Sequence, residues 1–286
     1  RPRPVADRPG SLRLVPVGAF SAVALVLFVR TSLLPLGGPG ELEVDILDVG
    51  QGDAILLTTP HGRRVLVDGG PSGIVLARQL GAVLPHWDRA IDRVVLTHPQ
   101  QDHLGGIPLL LDRFETHWVA DNGVRATSEA WDAIVAQAGD RRHTLRAGDE
   151  FTLDGVRFEV LWPPASYQAS NPNDSSIVLL VTYGDVRLLL TGDLEAAAQE
   201  RLLAASDVHA AVLKVPHHGG GTSSARFLAA VAPSVAAVSV GVNNTFGHPS
   251  PETLAALGQA VVLRTDLDGR ITLTTDGHSL QVATSR

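Results

Sequence analysis

The sequence predicts an α+β fold of two mixed β-sheets flanked by helices. Two patterns carry that expectation. Hairpin-like apolar strands crowd the stretch that follows the first forty residues, and strand and helix patterns alternate after them. Length and composition agree. A chain of 286 residues that is 44% hydrophobic and 19% charged can bury a large core, and it is not a wholly disordered chain.

The elements follow in order. Residues 14–29 are sixteen uncharged residues between Arg13 and Arg30. That is slightly short of the roughly 20 expected of a membrane-spanning helix, and flanking residues can extend it. Arginines cluster before this run, which places the N-terminus in the cytoplasm and the rest outside. A signal sequence and a buried core helix are the competing readings, and residues 31–38 (TSLLPLGG) match a cleavage site poorly. Residues 34–40 (LPLGGPG) read as a linker, so residues 1–40 form a short membrane-proximal segment and 41–286 a separate domain.

Within the body, residues 41–49, 54–58, 64–68 and 91–97 read as strands, with a helix over 74–83. Later strands are expected at 157–161, 177–183, 186–190, 211–215, 235–240, 261–264 and 271–274. Helices are expected at 107–114, 128–137, 195–204, 223–231 and 252–259.

Charge is uneven. The first forty residues hold five of the 23 basic and one of the 30 acidic residues, so the remainder is net −11. This argues against a strongly basic nucleic-acid-coating protein. The chain has no cysteine, hence no disulfide and no thiolate ligand. A transition metal must be held by His, Asp or Glu.

Those residues gather at strand ends. His98, Asp102 and His103 lie within six residues between a strand and a helix, followed by Gly105-Gly106. Asp193 ends the strand before Leu194; a helix N-cap is the plainer reading. Lys214, the only lysine, precedes His217-His218 and three glycines. Asp68 and His248 follow further strands. Five strand ends bearing His or Asp imply a site assembled from distant segments.

In this order the pieces resemble the metallo-β-lactamase superfamily, an αββα sandwich. Its H-x-H-x-D-H signature stands here as His98-Pro99-Gln100-Gln101-Asp102-His103. The chain is more closely similar to the C-terminal domain of ComEC-type DNA uptake competence proteins. The shared motifs are D-V-G-Q-G-D-A (48–54), N-D-S-S-I-V-L (173–179), T-G-D-L-E (191–195), K-V-P-H-H-G (214–219), G-H-P (247–249) and R-T-D-x-D-G (264–269). The resemblance covers about residues 43–274.

The resemblance implies a divalent metal, Zn or Mn, held by His98, Asp102, His103, Asp193 and His217. It implies supporting roles behind the ligands for Asp68 and His218, and catalytic roles for Asp102, His248 and Lys214. Asn173, Ser175 and Ser176 become candidates for phosphate contact. One departure matters: the signature's second His is Gln100, whose neutral amide is a weak ligand. One tight metal position and one weak or absent position are therefore expected.

The function implied is metal-dependent hydrolysis of DNA, of the non-transported strand, during uptake. The partners would be transient single-stranded DNA and the membrane channel of the same parent protein, with no nucleotide cofactor. The domain would sit at the cell membrane, on its extracytoplasmic side. A degenerate, non-catalytic module that guides DNA or braces the channel is the alternative that Gln100 favours.

Overall fold

The computed structural model describes residues 40–169 and 171–286, together with the backbone of two short strands, β1 (Arg13–Leu14) and β2 (Ala24–Leu27). The stretch 14–29, read above as a membrane helix, otherwise lies outside the described residues. Among the described residues, no helix is long and apolar enough to cross a membrane.

The body opens with an antiparallel meander, β3 (Leu42–Ile46), β4 (Ile55–Thr58) and β5 (Arg64–Val67). Crossovers then add strands in parallel. Helix α1 (Gly73–Val83) leads to β6 (Ala90–Val95). Helices α2 (Gln101–Leu104) and α3 (Ile107–Arg113) lead to β7 (Glu115–Asp121), and α4 (Glu129–Ala138) leads to β8 (Arg142–Thr144).

The second sheet repeats this plan. Strands β9 (Glu150–Leu153), β10 (Val156–Trp162), β11 (Val178–Tyr183) and β12 (Val186–Leu190) run antiparallel. Then β13 (Val212–Lys214), β14 (Val235–Val238) and β15 (Val261–Arg264) join in parallel through α5 (Ala196–Ala205), α6 (Ala225–Val231) and α7 (Pro251–Ala256). After α8 (Thr265–Asp268) the chain returns to the first sheet, where β16 (Ile271–Thr275) pairs with β3 and with β17 (Ser279–Thr284). The sheet orders are β1-β2-β17-β16-β3-β4-β5-β6-β7-β8 and β15-β14-β13-β12-β11-β10-β9.

Side-chain alternation explains the layers. Val65 and Val67 of β5 and Leu179 and Val181 of β11 point between the sheets, where they meet Phe158 and Leu188. Their neighbours point outward instead. Leu66 packs under the first helix layer with Leu76, Ile107 and Trp131, and Leu180 under the second with Leu202 and Phe227. Strands covered on both faces read as unbroken apolar runs, which is why they were legible. Ser128, Ser224 and Ser250 cap α4, α6 and α7 by accepting from the backbone N–H three residues on.

Strands β1, β2, β7, β8, β9 and β17 were not expected, the first two falling at the edge of and within the stretch read as a membrane helix. Exposed Glu115 and His117 interrupt the apolar signal of β7. The Asp154-Gly155 turn between β9 and β10 is a hairpin cue, with both residues at positive φ.

One glycine joins fold to site. Gly52, in the β3–β4 turn, has φ +135, and a Cβ there would lie 2.1 Å from the Asp102 carbonyl oxygen. Gly52→Ala should cost at least about 2 kcal/mol in urea unfolding, because both partners are backbone and neither can yield cheaply.

Candidate metal centre

The parallel strands of both sheets end on one rim. Beyond β6 the chain turns through Thr97 and His98 into α2, whose first turn carries Asp102 and His103. Asp193 follows β12, and His217 and His218 follow β13. Asp102, His103, Asp193 and His218 converge, their ligand atoms all within 4.8 Å of one another. Asp193 Oδ2 lies 3.2 Å from His103 Nε2 and 3.4 Å from His218 Nε2, and Asp102 Oδ2 lies 3.3 Å from His218 Nε2.

These atoms fit a cation. Both oxygens of Asp193 and the Nε2 of His103 are buried without a hydrogen-bond partner. Two imidazoles and two carboxylates suit a borderline divalent ion. The electrostatics agree. Burial opposes ionising Asp193, but His218 and His103 outweigh it and hold its pKa well below the usual carboxylate range. Burial likewise opposes charging His103, but Asp193 and Asp68 raise its pKa well above the ordinary value. The protons gather where the carboxylates and Nε2 atoms meet, which is where a cation would compete with them.

Groups behind the cluster fix each ring. His103 Nδ1 is 2.8 Å from Asp68 Oδ2, and Asp68 accepts from Thr97 N at 2.8 Å and Thr97 Oγ1 at 2.7 Å. His218 Nδ1 donates to the Ser239 carbonyl at 3.0 Å, which turns its Nε2 toward the cluster, 3.3 Å from Asp102 Oδ2. A carboxylate or carbonyl behind an imidazole is how metal-binding histidines are held. Thr265 in turn braces Val240, next to Ser239, through both its N–H and its carbonyl. That gives the R-T-D-x-D-G motif a structural role.

His98 lies beside the cluster, outside the four-residue set. Its ring is 4.2 Å from that of His103, and its Nδ1 faces Thr97 Oγ1 and Ser176 Oγ. Burial first, then charge on His103, push its pKa down to about 3, so it stays neutral. Its Nε2 is buried and unpartnered.

His217 is turned aside. Its Nε2 is 4.0 Å from Asp193 Oδ2, its side chain is 22% exposed, and its Nδ1 lies 3.2 Å from Glu195 Oε1. The cause is backbone geometry. His217 and His218 both adopt left-handed conformations, with φ 48 and 53, before Gly219 at φ 79. Successive residues in this disfavoured region reorient two adjacent side chains.

The position of Gln100 is filled by a chain of amides. Gln100 Nε2 donates to Asn173 Oδ1 at 2.6 Å, and Asn173 Nδ2 donates to Glu195 Oε1 at 2.9 Å. Each group satisfies the next, so Gln100 and Asn173 are committed to one another.

Three further placements differ from the sequence reading. Lys214 is not within reach of a substrate: it is 1% exposed, with Nζ 2.6 Å from Asp53 Oδ2. Ser175 is buried, donating to the Pro172 carbonyl and accepting from Asn122. Ser176 is buried and accepts from the Asp193 N–H. Neither serine faces an open surface that phosphate could reach. His248 stands at the rim, its ring 5.4 Å from that of His217 and 6.3 Å from that of His218. Burial first, then His217 and His218, lower its pKa.

Sequence reasoning passed over Asp53, Glu195 and Ser239. The first two stood inside quoted motifs, but nothing in the letters pairs Asp53 with Lys214. Ser239 acts through its backbone and left no signal.

Comparison with known proteins agrees with this architecture. Residues 63–217 match the beta-lactamase superfamily domain. The chain is 32% identical over 292 residues to ComE operon protein 3 of Bacillus subtilis, covering 93% of this chain and 37% of that protein. It is 31% identical to competence protein ComA of Neisseria gonorrhoeae, covering 81% of this chain and 32% of that one. The chain thus spans about a third of the length of the curated relatives it matches. Among solved structures, the metallo-beta-lactamase fold protein YhfI of Bacillus subtilis superposes with a TM-score of 0.51 at 12% identity, covering 78% of this chain and 95% of that one. With two mixed sheets, outer helices and a matched domain spanning more than half its length, the chain belongs to the beta-lactamase superfamily and has the metallo-β-lactamase fold.

Proposed function

We propose that the chain is a metal-dependent phosphodiesterase domain of a DNA-uptake machine, cutting DNA as it is taken in. The observation that carries this reading is the cluster of Asp102, His103, Asp193 and His218, in which both Asp193 oxygens and His103 Nε2 are buried without a hydrogen-bond partner. The competence-protein relatives support the choice of DNA as substrate.

Asp102, His103, Asp193 and His218 would hold one ion tightly, Zn or Mn. When bound, such an ion lowers the pKa of water and screens charge on a phosphoryl oxygen. The remaining work falls to the chain. Asp102, the most exposed of the four, orients the attacking water toward phosphorus. Asp68 and the Ser239 carbonyl keep the two imidazoles in one tautomer. His248, at the rim and kept neutral by its lowered pKa, contacts the scissile phosphate through a ring N–H. Residues 41–286 form this domain outside the cytoplasmic membrane, and residues 1–40 lead to it from a membrane channel.

A second reading, a non-catalytic module that guides DNA, is favoured by one feature. The amides of Gln100 and Asn173 are tied to each other where the superfamily signature has a ligand His at position 100. The experiment is direct. The chain is given Mn or Zn and end-labelled single-stranded DNA, beside Asp102→Ala. Cleavage by the wild type alone supports the enzyme. No cleavage by either, with activity appearing in Gln100→His, supports the degenerate module. Calorimetry with elemental analysis should find one tight ion per chain, and two tight ions would refute the single-site assignment.

A further inference from the structure

The loop from Gly241 to Gly247, just before His248, is not used by the chemistry above, yet it carries two of the seven large hydrophobic residues that are exposed among the described residues, Val242 and Phe246. Phe246 is 68% exposed. The other four described phenylalanines (114, 151, 158 and 227) are buried or half-buried.

The loop is built to hold its shape. Asn244 Nδ2 donates to the carbonyls of Gly241 and His248, and its Oδ1 accepts from the His248 N–H. Its start is anchored on Gln51, whose Oε1 accepts from the Gly241 N–H. Its end packs on the histidine turn, where a Cβ on Gly220 would meet His248 Nε2 at 2.8 Å. Phe246 is thus presented on a tethered loop, its ring 5.7 Å from that of His248, which is 6.3 Å from that of His218.

We propose that Phe246 is a stacking platform for a nucleobase of a single strand whose phosphodiester lies at the metal centre. The inference rests on the phosphodiesterase reading. An apolar grip suits this molecule. Residues 41–286 are net −11, and Arg64, Arg142 and Arg226 are already paired with Asp88, Asp121 and Glu200. A domain with this negative balance repels a polyanion overall, whereas an aromatic face binds bases without regard to charge or sequence. A duplex keeps its bases stacked inside, so the platform selects for single strands.

The test uses the whole chain with Asp102→Ala, so that the strand stays intact, and a labelled single-stranded oligonucleotide followed by fluorescence anisotropy. Adding Phe246→Ala should weaken binding about tenfold, and Phe246→Trp should restore it. The loss should be the same at about 50 and 200 mM salt, because stacking releases no counterions. It should vanish on an abasic strand. An equal loss on the abasic strand, or no loss on the normal one, overturns the stacking assignment even if the wild-type chain cuts DNA. If the wild type neither binds nor cuts the strand, the phosphodiesterase reading falls and the platform falls with it.

Discussion

His218→Ala is expected to strip the tightly held divalent ion from the chain, weakening affinity by at least about 100-fold, whereas His217→Ala changes it only a few fold. The reference is the ten- to hundredfold cost of losing a partner that merely orients a ligand; loss of a ligand itself should exceed it. The two residues are neighbours in sequence, so the contrast isolates geometry. His218 Nε2 points at Asp102 and Asp193, held there by the bond from its Nδ1 to the Ser239 carbonyl. His217 gives its Nδ1 to Glu195 and Thr222, and its Nε2 stays 4.0 Å from Asp193. Calorimetric titration of both variants with Mn or Zn decides the matter. Equal losses, or a larger loss for His217→Ala, would overturn the assignment of His218.

The second large effect concerns stability. Lys214→Met should destabilise the fold by about 3 kcal/mol, near the lower end of the roughly 3–5 kcal/mol lost when one partner of a buried ion pair is removed. The lysine is fully buried, and its loss leaves the Asp53 carboxylate buried with it. Asp53 would keep one neighbour, since His218 Nδ1 lies 3.4 Å from its other oxygen. That contact places the expected cost at the low end. With both present, the Lys214 ammonium is a main reason that the Asp53 carboxyl stays well below its usual pKa against the cost of burial; His218 adds to it. Urea unfolding with an unchanged m-value would show a true loss of stability, not a change in the unfolded state. Replacing Asp53 as well, by Leu, should recover part of it. A Lys214→Met chain as stable as the wild type would mean that the pair contributes nothing.

The parts of the fold that were legible were those whose environment is uniform. Strands β5, β6, β11 and β12 each carry a stretch covered on both faces, so each holds an unbroken apolar run, at 65–67, 94–96, 177–181 and 188–190. Strand β7 ends on the same rim but carries exposed charge, and its signal was lost. For the site, residue types and strand-end positions were enough to nominate Asp102, His103, Asp193 and a histidine of the 217–218 pair. Which histidine faces inward depends on two left-handed residues in succession, and nothing in the letters H-H encodes that. Burial was also beyond reach for Lys214, Ser175 and Ser176. A lone lysine or a pair of serines in a polar motif looks solvent-facing until tertiary packing encloses it.

The pairing of β16 with β3 has a consequence for how the domain is made. Residues 42–46 are joined on one side by residues 271–275, register for register. The first sheet therefore stays open along β3 until residues 271–275 have been synthesised. Until then β3 presents an unpaired edge, the feature through which nascent chains join one another. Closure is a late, long-range event, and contacts of that separation form slowly. A ribosome or secretion channel that still holds the last strands would hold the domain unfinished. A truncation that removes β16 and β17 should yield aggregates, not a smaller stable domain.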